Sequence, residues 1–579
     1  MEMPANQRTT KRSRSPCSDE CRARSPSTVA RRVARDEGGA QEDVAVFIFR
    51  RDLRLADNTA LWQLIDRAAA EALRILPLFF FNPLQADPAK NPYFGDASFQ
   101  VMLESLEDLD SSGQLDGRLV CLRGADEECL AEVQQRGFRI RLLAFNADFT
   151  PFALVRDARL LEWCHAHQVE SIQCRHDYTL LPLDTVLKQD GQPYSVFTPF
   201  YRRFVSDFAN QVPPPRLAAL EVARWFVPDG QTRFQRVGVL PTSLLRDFRR
   251  TLSDRGGRTE GLRRLDRIAT MSDYDVTRDL MALDATSHLS PHLKFGTVSI
   301  REAWDRAVRL LGLPHSFTRQ LLWREFYAML LEHHPRLVGG QLRAVAPPAG
   351  LPKGLAIRPR NEPFLAKYQR FRWAPPPAAA WAAFQAGRTG VPLVDAAVRC
   401  LNETGWCPNR GRMLLASFLV KVLAVDWREG ERWYASKAVD YDVAANNGGW
   451  LWSAGQGADA QPYFRTFNPF RQSLRYDPDG VFIRAWVPEL RGLPPAILHT
   501  WDAYCRAHGH RPCGDPNDGA RLAEPCRSDG DGNAKPPSLS GKKGKWGVRY
   551  VTAYPAPIVD IKACTQAVIQ EFKKYDVKN

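Results

Sequence analysis

The sequence predicts an α/β N-terminal domain built on a doubly wound parallel sheet, followed by an all-α C-terminal domain. Two observations carry this. The apolar runs 44–49, 75–81 and 118–122 alternate with helix-like patterns at 99–109 and 157–167, and strands that alternate with helices pair in parallel. From residue 285 the pattern becomes helical: Met413, Leu414, Phe418, Val420, Leu423 and Val425 recur at helical spacing, interrupted by Arg412 and Lys421.

Taken in order, residues 1–42 form a basic tail rich in Arg, Ser and Pro, with nine Lys/Arg against six acids. Too few apolar residues are present to support a core, so the tail is expected to be disordered. Its clusters Lys11-Arg12-Ser-Arg14 and Arg31-Arg32-Val-Ala-Arg35 suit a two-part nuclear import signal. Mitochondrion and cytoplasm are the alternatives. The α/β domain spans 43–180, and a Pro-rich connector at 181–284 is expected to lie over the surface. The helical domain covers 285–508. Residues 509–547, rich in Asp, Gly, Pro and Lys, form a low-complexity insert, and 548–579 a C-terminal segment.

A chain of 579 residues can form two or three domains with sizeable cores. No apolar run approaches the span of a bilayer, so no membrane partner is expected. A net charge of +14 favours a polyanionic partner or an anionic surface, and charge alone does not choose between them. Twelve cysteines without a secretory signal suggest reduced thiols. Cys505-x-x-His508-x-His510-x-x-Cys513 is too tight a loop to count as a zinc site, and no metal is expected.

The most informative segment is Asp440-Tyr-Asp442-Val-Ala-Ala-Asn446-Asn-Gly-Gly-Trp450-Leu-Trp452. It combines carboxylates that need partners when buried, glycines that permit close approach and indoles with large flat faces. Such a set suits a bound polar heterocycle. Thr286-Ser287-His288-Leu289-Ser290 offers hydroxyls and amides at a helix start, which suits a phosphate and equally an ordinary N-cap. The glycine-rich dinucleotide fingerprint is absent after Phe49, which counts against a nicotinamide dehydrogenase.

These segments, with Gln320-Leu-Leu-Trp323-Arg324-Glu325-Phe326-Tyr327, Thr404-Gly-Trp406-Cys-Pro-Asn409-Arg410-Gly-Arg412-Met413 and Asp426-Trp427-Arg428-Glu429-Gly430, resemble the photolyase/cryptochrome flavoprotein family. The likeness is closest to class I cyclobutane pyrimidine dimer photolyases and runs from about residue 44 to about 573. It implies that the helical domain binds FAD through Tyr274, Thr286, Ser287, His288, Leu289, Ser290, Phe317, Arg412, Asp440, Tyr441, Asp442 and Asn446. Arg412 and Asp440 would pair beside the isoalloxazine, Asp442 would accept from the ring or ribose, and Asn446 would face flavin N5. Trp450, Trp427 and a third indole, Trp373 or else Trp381, would relay electrons. An antenna chromophore, folate or deazaflavin, would sit near Asn146-Ala-Asp148-Phe-Thr-Pro151.

The resemblance also implies a monomer acting on UV-damaged DNA, with the dimer flipped out of the stack. Gln320, Asn409, Met413 and Asn446 would form the catalytic pocket. Trp323 and Trp452 would sandwich the flipped bases, with Tyr327 and Trp406 also at the DNA. Arg278, Arg324, Arg410 and Arg465 would hold phosphates, which set position and not sequence. Two departures stand out. Gln320 replaces the acid of the class I enzymes, and Pro408-Asn409 replaces the His pair of (6-4) photolyases. The resulting expectation is light-driven repair of cyclobutane dimers. The alternatives are a cryptochrome-type photoreceptor and a DNA-binding regulator with a structural flavin.

Overall fold

The computed structural model describes residues 41–111, 113–228, 234, 252–342, 361–375, 377–508 and 553–576. The expected tail up to residue 40 and the insert at 509–547 lie outside the described residues. Strands β1 (Glu42–Phe49), β2 (Arg74–Phe81), β3 (Val120–Arg123), β4 (Phe138–Asn146) and β5 (Glu170–Cys174) pair in parallel in the order β3-β2-β1-β4-β5. β1 is buried along Val44–Phe49 because both faces are covered, which is why its sequence is a continuous apolar run. The crossovers include helices α1 (Thr59–Ala70), α2 (Asp96–Leu109), α3 (Asp126–Gln135) and α4 (Pro151–Ala166). β4 and β5 were not foreseen. β5 is a short edge strand with its first two residues exposed, so it carries no apolar signal.

The remaining described chain is helical. It includes α5 (Ser316–His333), α6 (Pro392–Thr404), α7 (Asn409–Lys421), α8 (Trp427–Lys437), α9 (Val443–Ala454) and α10 (Ile561–Lys573). α7, α8 and α9 pack on one another and enclose Trp427 and Trp450 in one apolar core.

The two halves are locked by the loop after β1. Arg54, 1% exposed, donates from Nη2 to Asp177 (2.6 Å) and from Nη1 to the Gly296 carbonyl (3.0 Å). Arg301 reaches Asp57 (2.9 Å) and the other Asp177 oxygen (3.1 Å). Burial works against the Asp177 charge, yet Arg54 and Arg301 hold its carboxyl below the usual range. Gly296 lies so close to this loop that a Cβ would stand 2.1 Å from the Arg51 carbonyl oxygen, and its φ is +65°.

The connector does more than cross the surface, as the sequence had suggested. Phe226 pairs in parallel with Ile75 and is fully buried, and Asp254 is also buried. Its apolar anchors come in short clusters, such as Trp225-Phe226-Val227, set between prolines and charges. No described helix is long and apolar enough to cross a membrane. No group of three His, Cys, Asp or Glu that could hold a metal occurs among the described residues. His510 and Cys513 fall outside them.

Candidate functional site

α7 supplies the centre. Asn409 is exposed at its start, and its amide donates to the Met413 sulfur one turn on (3.5 Å). Arg412, from the same turn, points inward and makes a two-pronged pair with Asp440 (3.1 and 2.8 Å). Burial opposes the Arg412 charge, but the Asp440 carboxylate keeps it firmly protonated. The segment after Asp440 is extended, so neighbouring side chains face opposite ways. Tyr441 therefore turns to the sheet side, stacking on Tyr93 at 6.0 Å, and does not join Asp440. This departs from the expectation that both line one FAD pocket.

Asp442 is held by groups of the chain itself. One oxygen caps α9 through the Ala445 amide (3.0 Å) and the other takes Arg51 Nη2 (2.9 Å). Despite burial, Arg51 and Arg324 hold its carboxyl down at about 2. Arg51, from the loop after β1, also reaches Asp148 (3.3 Å), and through Asp442 it ties β1 to the start of α9. Only the folded chain brings residue 51 to residue 442.

Along α9, Asn446 donates to the Glu431 carbonyl (3.3 Å), and Asn447 reaches the Glu431 carboxyl (3.0 Å). Burial pushes the Glu431 carboxyl up to about 7. Trp450 lies across α8, where a Cβ on Gly430 would stand 2.3 Å from its ring. Trp427, three residues before Gly430, is wholly buried. Trp373 and Trp381 are both half-buried against the core holding those two indoles.

The Thr286 loop packs under Tyr274 and Phe317, whose rings meet edge to face at 5.5 Å. His288, at φ +56°, faces Asp254 (2.9 Å) and Asp284 (2.9 Å) and stacks on Trp406 at 4.0 Å. Trp406, half-buried, thus packs against the α/β core. Ser287 and Leu289 are buried, and Ser290 opens the helix Ser290–Phe295.

On the outer side, Trp323 has one face stacked on Phe197 at 3.8 Å, and Trp452 is half-buried. Gln320 donates to the Ser316 carbonyl (3.4 Å). Tyr327 packs on Gly448, where a Cβ would meet its ring at 2.2 Å. Arg465 is exposed, and Arg278 lies over Tyr274 at 5.7 Å. Two arginines expected at phosphates are engaged within the protein. Arg324 donates to the Tyr178 carbonyl (2.6 Å) and to Glu325 (3.0 Å), and Arg410 pairs with Asp279 (2.7 Å) while lying over Tyr476.

Several buried polar atoms here have no protein partner: Thr286 Oγ1, Arg278 Nε, Ser316 Oγ and Tyr434 Oη. Buried polar atoms are normally hydrogen-bonded. A hydroxyl left open in the phosphate-type loop fits a phosphorylated cofactor such as FAD.

A cavity of about 460 Å³ opens at the carboxyl ends of β1 and β2, where doubly wound sheets bind ligands. Phe79, Phe81, Tyr93, Phe99, Tyr178 and Tyr441 line it, with Lys294 and Arg51 on the side of the helical domain. Burial and the nearby Arg51 lower the Lys294 ammonium to about 8. Asp148 and Thr150 of the segment singled out in the sequence face this cavity, whereas Asn146 turns to Asp52 (2.5 Å) and Asn58.

Residues 45–218 match the family described as DNA photolyase, and 317–574 match the FAD binding domain of DNA photolyase. A deoxyribodipyrimidine photo-lyase of Synechococcus is 33% identical over 468 residues, covering 78% of this chain and 89% of the relative. The photolyase of Sulfolobus tokodaii, solved with two FAD molecules, superposes with a TM-score of 0.67 at 31% identity, over 92% of this chain and all of that one. A Synechocystis cryptochrome gives 0.66 at 25% identity, over 92% of this chain and all of that one. The fold and site are those of an FAD-binding flavoprotein of the photolyase and cryptochrome type. The chain belongs to the DNA photolyase family and is an enzyme of its deoxyribodipyrimidine photo-lyase group.

Proposed function

We propose that the protein uses light to split cyclobutane pyrimidine dimers in DNA. One observation carries this reading: a single turn of α7 sends Arg412 inward to Asp440 while Asn409 and Met413 face outward together. A substrate against that outer face would lie next to a cofactor held by the inner one. When bound, reduced FAD excited by light supplies the electron that opens the dimer. The Thr286 hydroxyl and the amides at the start of Ser290–Phe295 are suited to its phosphates. Asn446, a neutral amide held by the Glu431 carbonyl, can accept a hydrogen bond without gaining charge.

Asn409, Met413, Gln320 and the open side of Trp323 would surround the flipped dimer, with Trp452 and Tyr327 at its edge. Arg465 and Arg278 would steady the flanking phosphates. Trp450, Trp427 and Trp373 would return electrons from outside. Trp373 is preferred to Trp381 because its segment is bonded, through the Leu365 amide, to the Gln456 carbonyl (3.1 Å), and the Gln456 side chain contacts Trp427. The 460 Å³ cavity would hold the antenna, a folate or a deazaflavin, with its aromatic walls against the rings.

Blue-light repair of a dimer-containing oligonucleotide by the photoreduced protein tests the reading. A second reading, a cryptochrome-type receptor, is favoured by Gln320, which supplies no acidic proton and bonds within its own helix. FAD and DNA binding without repair would select it. The basic clusters at 11–14 and 31–35 support nuclear import, to be read from the location of a fluorescent fusion.

A further inference from the structure

Lys421, which breaks the apolar stripe of α7, is the last residue of that helix and is only 1% exposed. Among the described residues its ammonium pairs with no carboxylate. It donates instead to the carbonyl of Ala454, the last residue of α9 (2.8 Å), and to the Tyr463 carbonyl (3.2 Å). On a third side the Phe572 ring of α10 lies 4.0 Å away. Gly455 leaves room for the ammonium, since a Cβ there would stand 3.2 Å from Nζ. Burial lowers the Lys421 ammonium to about 7, but with or without the extra proton the nitrogen keeps an N–H for each carbonyl.

Burying an ammonium without a counter-charge is costly, and an apolar side chain of similar volume would fill the same space at no such cost. What the lysine adds is therefore its two bonds, which tie the ends of α7 and α9 to the turn that follows α9. α7 holds that turn a second time: Ser417 Oγ, four residues before Lys421, accepts from the Phe467 N–H (3.4 Å). The two bonds bracket Phe464, Arg465 and Thr466. Inside the bracket the Arg465 N–H closes a tight turn on the Pro462 carbonyl (2.9 Å), and the Phe464 and Arg465 side chains are exposed.

The C-terminal helix completes the support. Phe572 of α10 is wholly buried and packs on Phe371 at 4.5 Å and Tyr368 at 5.4 Å. Its ring also lies parallel to that of Tyr463, with centroids 6.2 Å apart. Tyr463 is thus held twice, by its carbonyl on Lys421 and by its ring on Phe572, only two residues before Arg465. A cation over an aromatic face is itself favourable, so Phe572 steadies the Lys421 nitrogen as well as the tyrosine ring.

We propose that Lys421 is a positioning residue for Arg465: it fixes the turn at 463–467 so that this arginine is presented to a DNA phosphate, while Lys421 itself stays buried. This rests on the DNA reading above. An arginine on a loose turn gives up backbone as well as side-chain freedom when it binds. On a turn already fixed, the backbone part is lost before binding, and the contact is stronger for it. Through Phe572 the C-terminal helix, nearly a hundred residues further along the chain, belongs to the same support.

The test is binding of the full-length, FAD-loaded protein to a duplex oligonucleotide carrying one cyclobutane thymine dimer, followed by fluorescence anisotropy at several salt concentrations. Lys421→Met keeps the bulk of the side chain and removes its donors. It should weaken binding by about fivefold and make the salt dependence shallower by up to about 0.9 log unit per tenfold salt. In an Arg465→Ala background the same change should add less than about twofold, because the two residues act through one contact. Losses that multiply in full overturn the proposal. So does a Lys421→Met protein with the natural salt slope, since a merely structural role would lower stability and leave the slope alone. If Lys421→Met does not fold, Phe572→Leu decides, as it keeps the lysine and removes the ring above it. A smaller loss that vanishes beside Arg465→Ala supports the proposal, and no loss, or an equal loss in both backgrounds, overturns it. Natural affinity and slope in Arg465→Ala alone would instead overturn the contact assigned to Arg465, and the proposal falls with it.

Discussion

The loop after β1 and the loop around Thr286 both bury polar groups, but in opposite ways. In the first, both oxygens of Asp57 and both of Asp177 are engaged by Arg216, Ser299, Arg301, Thr59 or Arg54. In the second, Thr286 Oγ1 is buried and unpartnered, as is Arg278 Nε beyond it. Burial removes water from both, so each group needs a replacement. The first loop finds partners for both carboxylates within the chain and fastens sheet to helices, leaving only the Arg51 and Arg54 Nε atoms without one. The second leaves places that a ligand can take. Buried polar groups are thus mutually satisfied in one loop and leave an open hydroxyl in the other.

The largest effect should come from the filled loop. Asp177→Ala leaves Arg54 and Arg301 buried without their shared carboxylate, and losing one partner of a buried pair costs about 3–5 kcal/mol. Urea unfolding should show the loss with or without FAD.

A smaller effect should come from Arg51. Asp442 is held at about 2, against 3.8 for the free side chain. Its contribution is therefore complete above the ordinary carboxyl range and is lost as pH falls towards about 2. Arg51→Met should raise the Asp442 pKa, move acid unfolding to higher pH and remove about 1–2 kcal/mol at neutral pH. An acid transition identical to that of the natural protein would show that Arg51 does not hold Asp442.

Thr286→Val tests the open loop. Removing an unpaired buried hydroxyl should leave the stability of the FAD-free protein unchanged or slightly raised. FAD affinity should fall by about 1.5–3 kcal/mol, the value of a hydrogen bond to a charged group. Equal losses with and without FAD, in a thermal melt, would place Thr286 with the scaffold.

The smallest effect separates the arginines. The affinity of dimer-containing DNA should fall with salt by about 0.9 log unit per phosphate contact for each tenfold increase. Arg465→Ala should lower that slope by about one contact, and Arg410→Ala, already paired with Asp279, by much less. Equal reductions would put Arg410 at the DNA.

The class of fold and much of the centre were legible because they depend on local pattern. A buried strand is a continuous apolar run, and α7 carries Arg412 and Met413 at adjacent positions whatever the rest of the chain does. Directions across an extended segment were not legible. Tyr441 and Asp440 are neighbours that face apart, and Trp406 packs against the α/β core. Long-range partners were also invisible: Arg51 meets Asp442 across 391 positions, and Gln456 meets Trp427 only once α9 has doubled back over α8. Nor could the sequence show that Arg324 reaches the Tyr178 carbonyl and Arg410 reaches Asp279, since those partners lie 146 and 131 positions away.

Gly430 sets a gap of a different kind. With no side chain there, the Trp450 ring settles directly onto the α8 backbone, within a turn of Trp427. Electron tunnelling weakens exponentially with distance, so the speed of any current between these indoles is governed by an atom that is missing. One methyl group at residue 430 would stand 2.3 Å from the Trp450 ring, so the seat of that indole on α8 is set by a side chain that is not there.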